Sequence, residues 1–346
     1  MKPMDIQILD PIETTDWDAL LLRTEDPDFF HSSVWAKVLK ESYRYQPLYF
    51  ASSENGQLRL SMPFMEVYSP FTGRRGISLP FSDQCAPYFL DQRYLHEAVD
   101  LAVEHGRKAG WRYIEWRATG YFDDCVPSWA DYHTHEILLS GSEASLFARL
   151  KASNRRNINK ATQAGLLIEI SQSWDAVSSF YRLNSLTRKR HGLPPQPLVF
   201  FKKIFEHVIS GGYGHVISAS HADRVIASSM FFHFGKRALY KYGASETDCL
   251  HLRPNNLIIW EAIKWYRSHN YETLSLGRTE MDNPGLLRYK QGWGAEENLL
   301  KYFRYDYKEK AFLAKRPEKV LYKKLLSKFP ERLLRVIGSL AYRHVG

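Results

Sequence analysis

Cysteine is scarce in this 346-residue chain. Cys85, Cys125 and Cys249 are widely spaced and include no CxxC pair, so neither a disulfide framework nor a cysteine-built zinc site is expected. No apolar run approaches the roughly 18 to 20 residues that a membrane-spanning helix needs. Met1 to Asp10 carries acidic residues and lacks the basic stretch followed by an apolar one that marks a secretory leader, so a cytoplasmic location is expected. There is no G-x-S-x-G elbow, H-E-x-x-H pair, Walker loop or G-x-G-x-x-G turn, which removes the familiar hydrolase, metalloprotease, P-loop and dinucleotide signatures. The histidines are scattered. His133 and His135 share a strand face, but no third ligand is evident, and no metal site is expected; His31, His191 and His251 read as turn or packing residues.

Apolar material is plentiful. A hydrophobic fraction of 44% with nine Trp, nineteen Phe and twenty-one Tyr fills the cores of a folded chain, and the length suits two domains. The net charge of +9 would suit a nucleic-acid binder if it were spread over a face. It is not. From Lys301 onward there are thirteen Lys or Arg against four Asp or Glu, which leaves 34 of each sign before that point. No helix-turn-helix, zinc-finger or RNP-like segment accompanies the charge.

The pattern of periodicities predicts a strand at Met4–Leu9, a helix at Phe30–Tyr43, a hairpin of Pro47–Ser52 and Leu58–Val67 around Ser53-Glu54-Asn55-Gly56, a strand at Gly76–Phe81, a helix at Tyr94–Lys108 and a strand at Trp111–Trp116. The later half repeats the order. Strands at Tyr213–Ser220, Val225–Phe234 and Ala238–Tyr242 precede a helix at Asn255–Ser268 and a strand at Tyr271–Leu276. Two copies indicate duplicated domains, not a solenoid. Between them Ser142–Ala164 reads as one basic helix and Trp174–Arg190 as another, stopped by Gly192-Leu193-Pro194-Pro195.

Pro254 before the helix, with Asn255 as cap, leaves backbone N–H groups suited to a phosphate or an oxyanion, or else simply starts a helix. Gly277-Arg278-Thr279-Glu280 follows a strand, where α/β sheets present ligand-binding groups. Lys290, set between Tyr289 and Trp293, is either an ammonium held near a reacting carbonyl or phosphate, or a solvated lysine.

Several segments, in this order, resemble the FemAB-like branch of the GNAT acyltransferase superfamily. They are the aromatic helix around Trp35, Leu79-Pro80-Phe81, Asn154-Arg155-Arg156-Asn157-Ile158-Asn159-Lys160-Ala161, Tyr240-Lys241-Tyr242-Gly243-Ala244-Ser245, Pro254-Asn255-Asn256-Leu257 and Tyr289-Lys290-Gln291-Gly292-Trp293-Gly294. The branch includes peptidoglycan bridge-forming aminoacyltransferases and related N-acyltransferases. The resemblance implies an α/β fold of tandem GNAT-like domains, each a mixed, mainly antiparallel sheet with flanking helices, with domains at 1–140 and 141–300 and a basic amphipathic tail at 301–346. It implies acyl transfer to a primary amine of a cell-envelope lipid, saccharide or peptide precursor. The donor is then an acyl-coenzyme A or other acyl thioester, used as substrate with no tightly bound cofactor; the alternatives are an aminoacyl-tRNA donor or a non-catalytic protein that retains the fold.

By the same resemblance Lys290 is the catalytic candidate and Arg278 a further one, while the general base is left open among Glu280, Asp282 and the substrate itself. Arg155, Arg156, Lys160, Tyr242, Ser245, Asn255, Asn256, Tyr289 and Trp293 are the substrate-binding ones, and Lys290→Ala is expected to fold normally and lose transfer. Tyr289 stands where the family usually has phenylalanine. The coiled-coil hairpin common in tRNA-dependent members and the coenzyme A pyrophosphate loop of typical GNAT enzymes are both missing. The tail from Pro317 to His344 reads as two amphipathic helices broken at Pro330, placed either on the catalytic body or on the inner face of an anionic membrane.

Overall fold

The structure, a computed structural model, describes residues 5–120, 122, 125–314, 326 and 328–345. The first part of the chain runs β1 (Gln7–Leu9), α1 (Trp17–Leu22), α2 (Ser33–Tyr43), β2 (Gln46–Glu54), β3 (Gln57–Ser69), β4 (Gly73–Ile77), β5 (Tyr88–Phe89), α3 (Gln92–Lys108), β6 (Trp111–Arg117) and β7 (Ala130–Leu138). It continues with α4 (Glu143–Arg149), α5 (Ala152–Gln163), β8 (Leu167–Ser171), α6 (Trp174–Arg190), α7 (Leu198–Lys203), β9 (Gly214–His221), β10 (Arg224–Phe234) and β11 (Arg237–Ser245). Then follow α8 (Pro254–Ser268), β12 (Thr273–Glu280), α9 (Pro284–Gln291), β13 (Glu296–Asp306), β14 (Ala311–Phe312) and a C-terminal helix, Glu331–Ala341.

Two compact units divide it. One holds residues up to Tyr132, the strand from Leu299 and the chain end from Ala341; the other holds His133–Asn298 and the C-terminal helix up to Leu340. In the first, strands pair in the order β1-β2-β3-β4-β6-β13. In the second the order is β8-β9-β10-β11-β12. Both contain three antiparallel neighbours, then a helix, then a strand that returns parallel to the last of them: β4 with β6 across α3, and β11 with β12 across α8. The duplicated order is therefore a duplicated topology. Each parallel return needs its crossover helix, which is why a long helix precedes both Trp111 and Thr273.

Local chemistry explains the elements. Asn55 and Gly56 take φ 52° and 72°, the left-handed pair that lets Glu54 face Gln57 across a two-residue hairpin turn. β10 is buried almost throughout, because α6 and α8 both pack on it and its alternate side chains have no wet face. Phe231 meets Tyr266 of α8, while the next residue, Phe232, meets Tyr242.

Three expectations need correction. The single helix expected over Ser142–Ala164 is two, since Leu150 is extended at ψ 142° and the Lys151 N–H leaves the helical ladder to bond the Gly292 carbonyl at 2.9 Å. The strand expected at Gly76–Phe81 ends at Ile77. Beyond it Leu79 and Phe81 adopt φ 48° and 62°, held by the Arg117 guanidinium, which donates to the carbonyls of Leu79 and Ser82. The basic tail does not begin at residue 301 either, because Tyr302 to Asp306 pair with β6 and bury Tyr302 and Phe303. Of the two tail helices, that at Glu331–Ala341 is present and most of the other lies outside the described residues.

Candidate functional site

All twelve site candidates lie in the second unit, and the chain brings several of them to one end of β11 and β12. The pairing of these parallel strands is confined to Arg237↔Thr273, Ala238↔Leu274 and Leu239↔Ser275. After that β11 continues to Ser245 and β12 to Glu280. Each strand carries a device that breaks the pairing. On β11, Met230 faces Tyr242 and Phe231 faces Tyr240, so Lys241 is an extra, bulged residue. On β12, Gly277 adopts φ 70°, a conformation that a side chain would oppose. Diverging carboxyl ends of parallel strands form the crevice in which α/β sheets hold ligands.

Lys290 secures that end of β12. It is 5% exposed, and its Nζ donates to the Gly277 and Arg278 carbonyls at 2.9 Å each. A buried ammonium is costly unless such acceptors replace its water, so Lys290 and the turned main chain stabilise one another. The alternative of a solvated lysine is excluded. Arg278 is half-buried beside it, and Glu280 is exposed at the strand's last position.

The other motifs converge around the same end. Pro254 opens α8, as anticipated, but the cap is Arg253 at φ 62° with no capping side chain, and Asn255 lies inside the first turn. Asn255 Nδ2 instead reaches Ser245 Oγ at 3.4 Å, joining the end of β11 to the start of α8. Asn256 donates to Asn154 of α5 at 3.5 Å. Asn154 in turn lies against Gly292, where a Cβ would come within 2.9 Å of its Nδ2. The asparagines of two motifs and the glycine of a third thus interlock.

Arg156 and Lys160 are exposed one turn apart on α5, whereas Arg155 is half-buried and donates to the Ala148 carbonyl. Tyr242 sits among Phe180, Phe200, Phe201 and Phe232, with the Lys241 ammonium 5.2 Å from its ring centre. Trp293 is buried in the core of the unit, and Tyr289 packs edge-on against it.

Sequence reasoning missed Glu297 altogether and set His135 aside. The two histidines do share a face, as their spacing predicts, and Glu297 meets both: His133 Nδ1 lies 2.7 Å from one carboxylate oxygen, and His135 Nε2 3.7 Å from the other. Gln291 Nε2 donates to that second oxygen at 2.8 Å, and this bond contributes most to holding the Glu297 carboxyl below its usual range. His135 is fully buried. Burial first, then the Lys290 charge, push its imidazole down to about 4 against the opposing pull of Glu297. The signal was the His-x-His spacing, but its partner lies far along the chain, where no local pattern points to it.

That shift carries a pH dependence. The unfolded chain takes up a proton near 6.5 and the folded His135 only near 4, so its contribution is full above 6.5 and is lost as pH falls toward 4. A urea titration at pH 5 should give less stability than at pH 7, with on the order of 1–2 kcal/mol of the loss assigned to His135. His135→Gln should flatten the profile by that amount; an unchanged profile would show that this imidazole does not titrate.

Residues 148–291 match the family described as an acetyltransferase (GNAT) domain. The solved structure of FemX is 13% identical, with 86% of this chain and 97% of that one covered and a TM-score of 0.66. A tandem GNAT protein from the clavulanic acid biosynthesis pathway is 9% identical over 88% of this chain and 98% of its own, at a TM-score of 0.54. The C-terminal domain of a protein described as a lysylphosphatidylglycerol synthetase, from Agrobacterium fabrum, is 12% identical over 82% and 89%, at 0.52. No curated protein matches the chain. The fold is that of the FemX structure and of the tandem GNAT protein. The match to the GNAT domain is confined to residues 148–291, which lie within the second unit.

Proposed function

We propose that the protein transfers an acyl group from a thioester donor to a primary amine of a cell-envelope lipid, saccharide or peptide precursor, with the donor carbonyl lying between the diverging ends of β11 and β12. The observation that carries this reading is the confinement of β11–β12 pairing to three residue pairs, with a bulge at Lys241 and a left-handed Gly277. The amine nitrogen attacks the carbonyl carbon, the C–N bond forms as the C–S bond breaks, and the proton released by the amine ends on the leaving thiolate. Lys290 and Arg278 supply positive potential to the oxyanion, Lys290 chiefly by holding the Gly277 turn. Glu280, exposed at the strand end, takes the amine's proton first, whereas His135 is fully buried. Asn255, Asn256 and Ser245 order the start of α8 beside the donor's polar end; Tyr242 borders it from β11, and Tyr289 and Trp293 support it from the core.

The likeness to a protein whose name joins lysine to a phospholipid supports a lipid acceptor. Arg156 and Lys160, exposed and one turn apart, favour a polyanionic substrate and so keep a second reading, an aminoacyl-tRNA donor. Thiol release from acyl-coenzyme A of increasing chain length, measured with and without amine acceptors, separates the readings. Acceptor-dependent release of coenzyme A is expected. Turnover only with charged tRNA would replace the thioester donor, and binding of neither donor would indicate a non-catalytic protein.

A further inference from the structure

The C-terminal helix Glu331–Ala341 has an apolar arc wider than the surface it covers. On one side Leu334 is fully buried, and Gly338 lies so close to Pro195 that a Cβ would come within 2.0 Å of its carbonyl oxygen. Arg335 holds the same side, its guanidinium 5.0 Å from the Tyr181 ring centre. This side rests on the loop after α6. The other side is open: Leu333, Val336 and Leu340, at i, i+3 and i+7, are 44%, 54% and 64% exposed. Arg332 adjoins this stripe, and Lys328 and Arg343 stand exposed before and after the helix.

We propose that this stripe is a docking face for an anionic phospholipid surface, on which the helix lies parallel to the bilayer. A half-exposed row of Leu and Val bordered by Arg and Lys is the composition of helices that settle at the headgroup boundary. The charge distribution selects this occupant over a second copy of the chain. Around the helix, Lys328, Arg332, Arg335 and Arg343 stand against Glu331 alone, a cationic surplus that repels a like tail and is drawn to anionic headgroups. The sequence-level choice between packing on the body and lying on a membrane is thereby resolved into two sides of one helix, and the face serves an enzyme whose acceptor is lipid-linked without depending on that chemistry.

The test is co-sedimentation of the full chain with vesicles of phosphatidylcholine alone and with about one third phosphatidylglycerol. Binding is expected to the anionic vesicles, to weaken in high salt, and to fall at least about tenfold in Leu333→Ser/Val336→Ser/Leu340→Ser with an unchanged melting temperature. Gly338→Ala serves as the second variant, lowering the melting temperature by undocking the helix while leaving the stripe in place. Equal binding by wild type and the triple variant, or none by wild type, overturns the proposal. A wild-type dimer in light scattering that the triple variant converts to monomer overturns it too, by assigning the stripe to a second copy. Acyl transfer to a soluble amine is measured in parallel, so failure of membrane binding and failure of the proposed chemistry are read separately.

Discussion

Lys290→Met is expected to lower acyl transfer by at least about 10²-fold and to destabilise the protein by about 1–3 kcal/mol. Both effects follow from one geometry. The Nζ group occupies the Gly277 and Arg278 carbonyls within a buried site, so removing it leaves two main-chain acceptors with a lost donor and releases the turn that parts β12 from β11. Sequence reasoning treats this lysine as a charge whose loss spares the fold. The structure makes it a support of the main chain as well. A third reading distinguishes the two roles: Lys290 is one of the charges that lower the His135 pKa, so in Lys290→Met the His135 titration followed by NMR should move upward from about 4. Loss of activity with unchanged stability and an unmoved His135 titration would mean that Lys290 acts on substrate alone and does not shape the site.

Glu115→Ala is expected to cost about 3–5 kcal/mol and to lower the melting temperature on the order of 10 °C. Glu115 is buried on β6 between two guanidinium groups, with Arg117 Nε at 3.0 Å from one oxygen and Arg304 Nε at 3.2 Å from the other. Arg304 is itself stacked 4.2 Å from the Tyr113 ring centre and 4.0 Å from that of Trp129. Burial works to raise the Glu115 pKa, but Arg117 and Arg304 more than reverse it and hold the carboxyl below its usual range. Its contribution is therefore full above that range and is lost as pH falls through it. Removing the carboxylate strands two cations, one of which also positions the left-handed Leu79–Ser82 segment. Differential scanning calorimetry reads the result. A loss under about 1 kcal/mol would show that solvent reaches the pair and that the arginines need no buried counter-charge.

Much of the fold was legible because its signals are local. Ser53-Glu54-Asn55-Gly56 contains the residues that tolerate left-handed backbone, and the hairpin formed where they stand. Trp174–Arg190 is helical over its expected length because Ser173 caps it and Pro194 lies soon after its end. Errors arose where a distant partner outcompeted local propensity. Nothing within Ser142–Ala164 announces that Lys151 will bond Gly292, and nothing in Lys301-Tyr302-Phe303-Arg304 announces that β6 will cover its aromatic residues.

The sequence by itself determined the repeated order of strands and helices, the motifs and the place where the charge accumulates, since periodicity, turn residues and composition act over a few residues at a time. Only the tertiary structure decided what Lys290 bonds to, that Glu297 joins His133 and His135, and that Leu334 and Leu333 of one helix face opposite fates. These depend on which segments meet after the chain closes, and burial converts such meetings into fixed hydrogen bonds and shifted protonation that no neighbouring residue encodes.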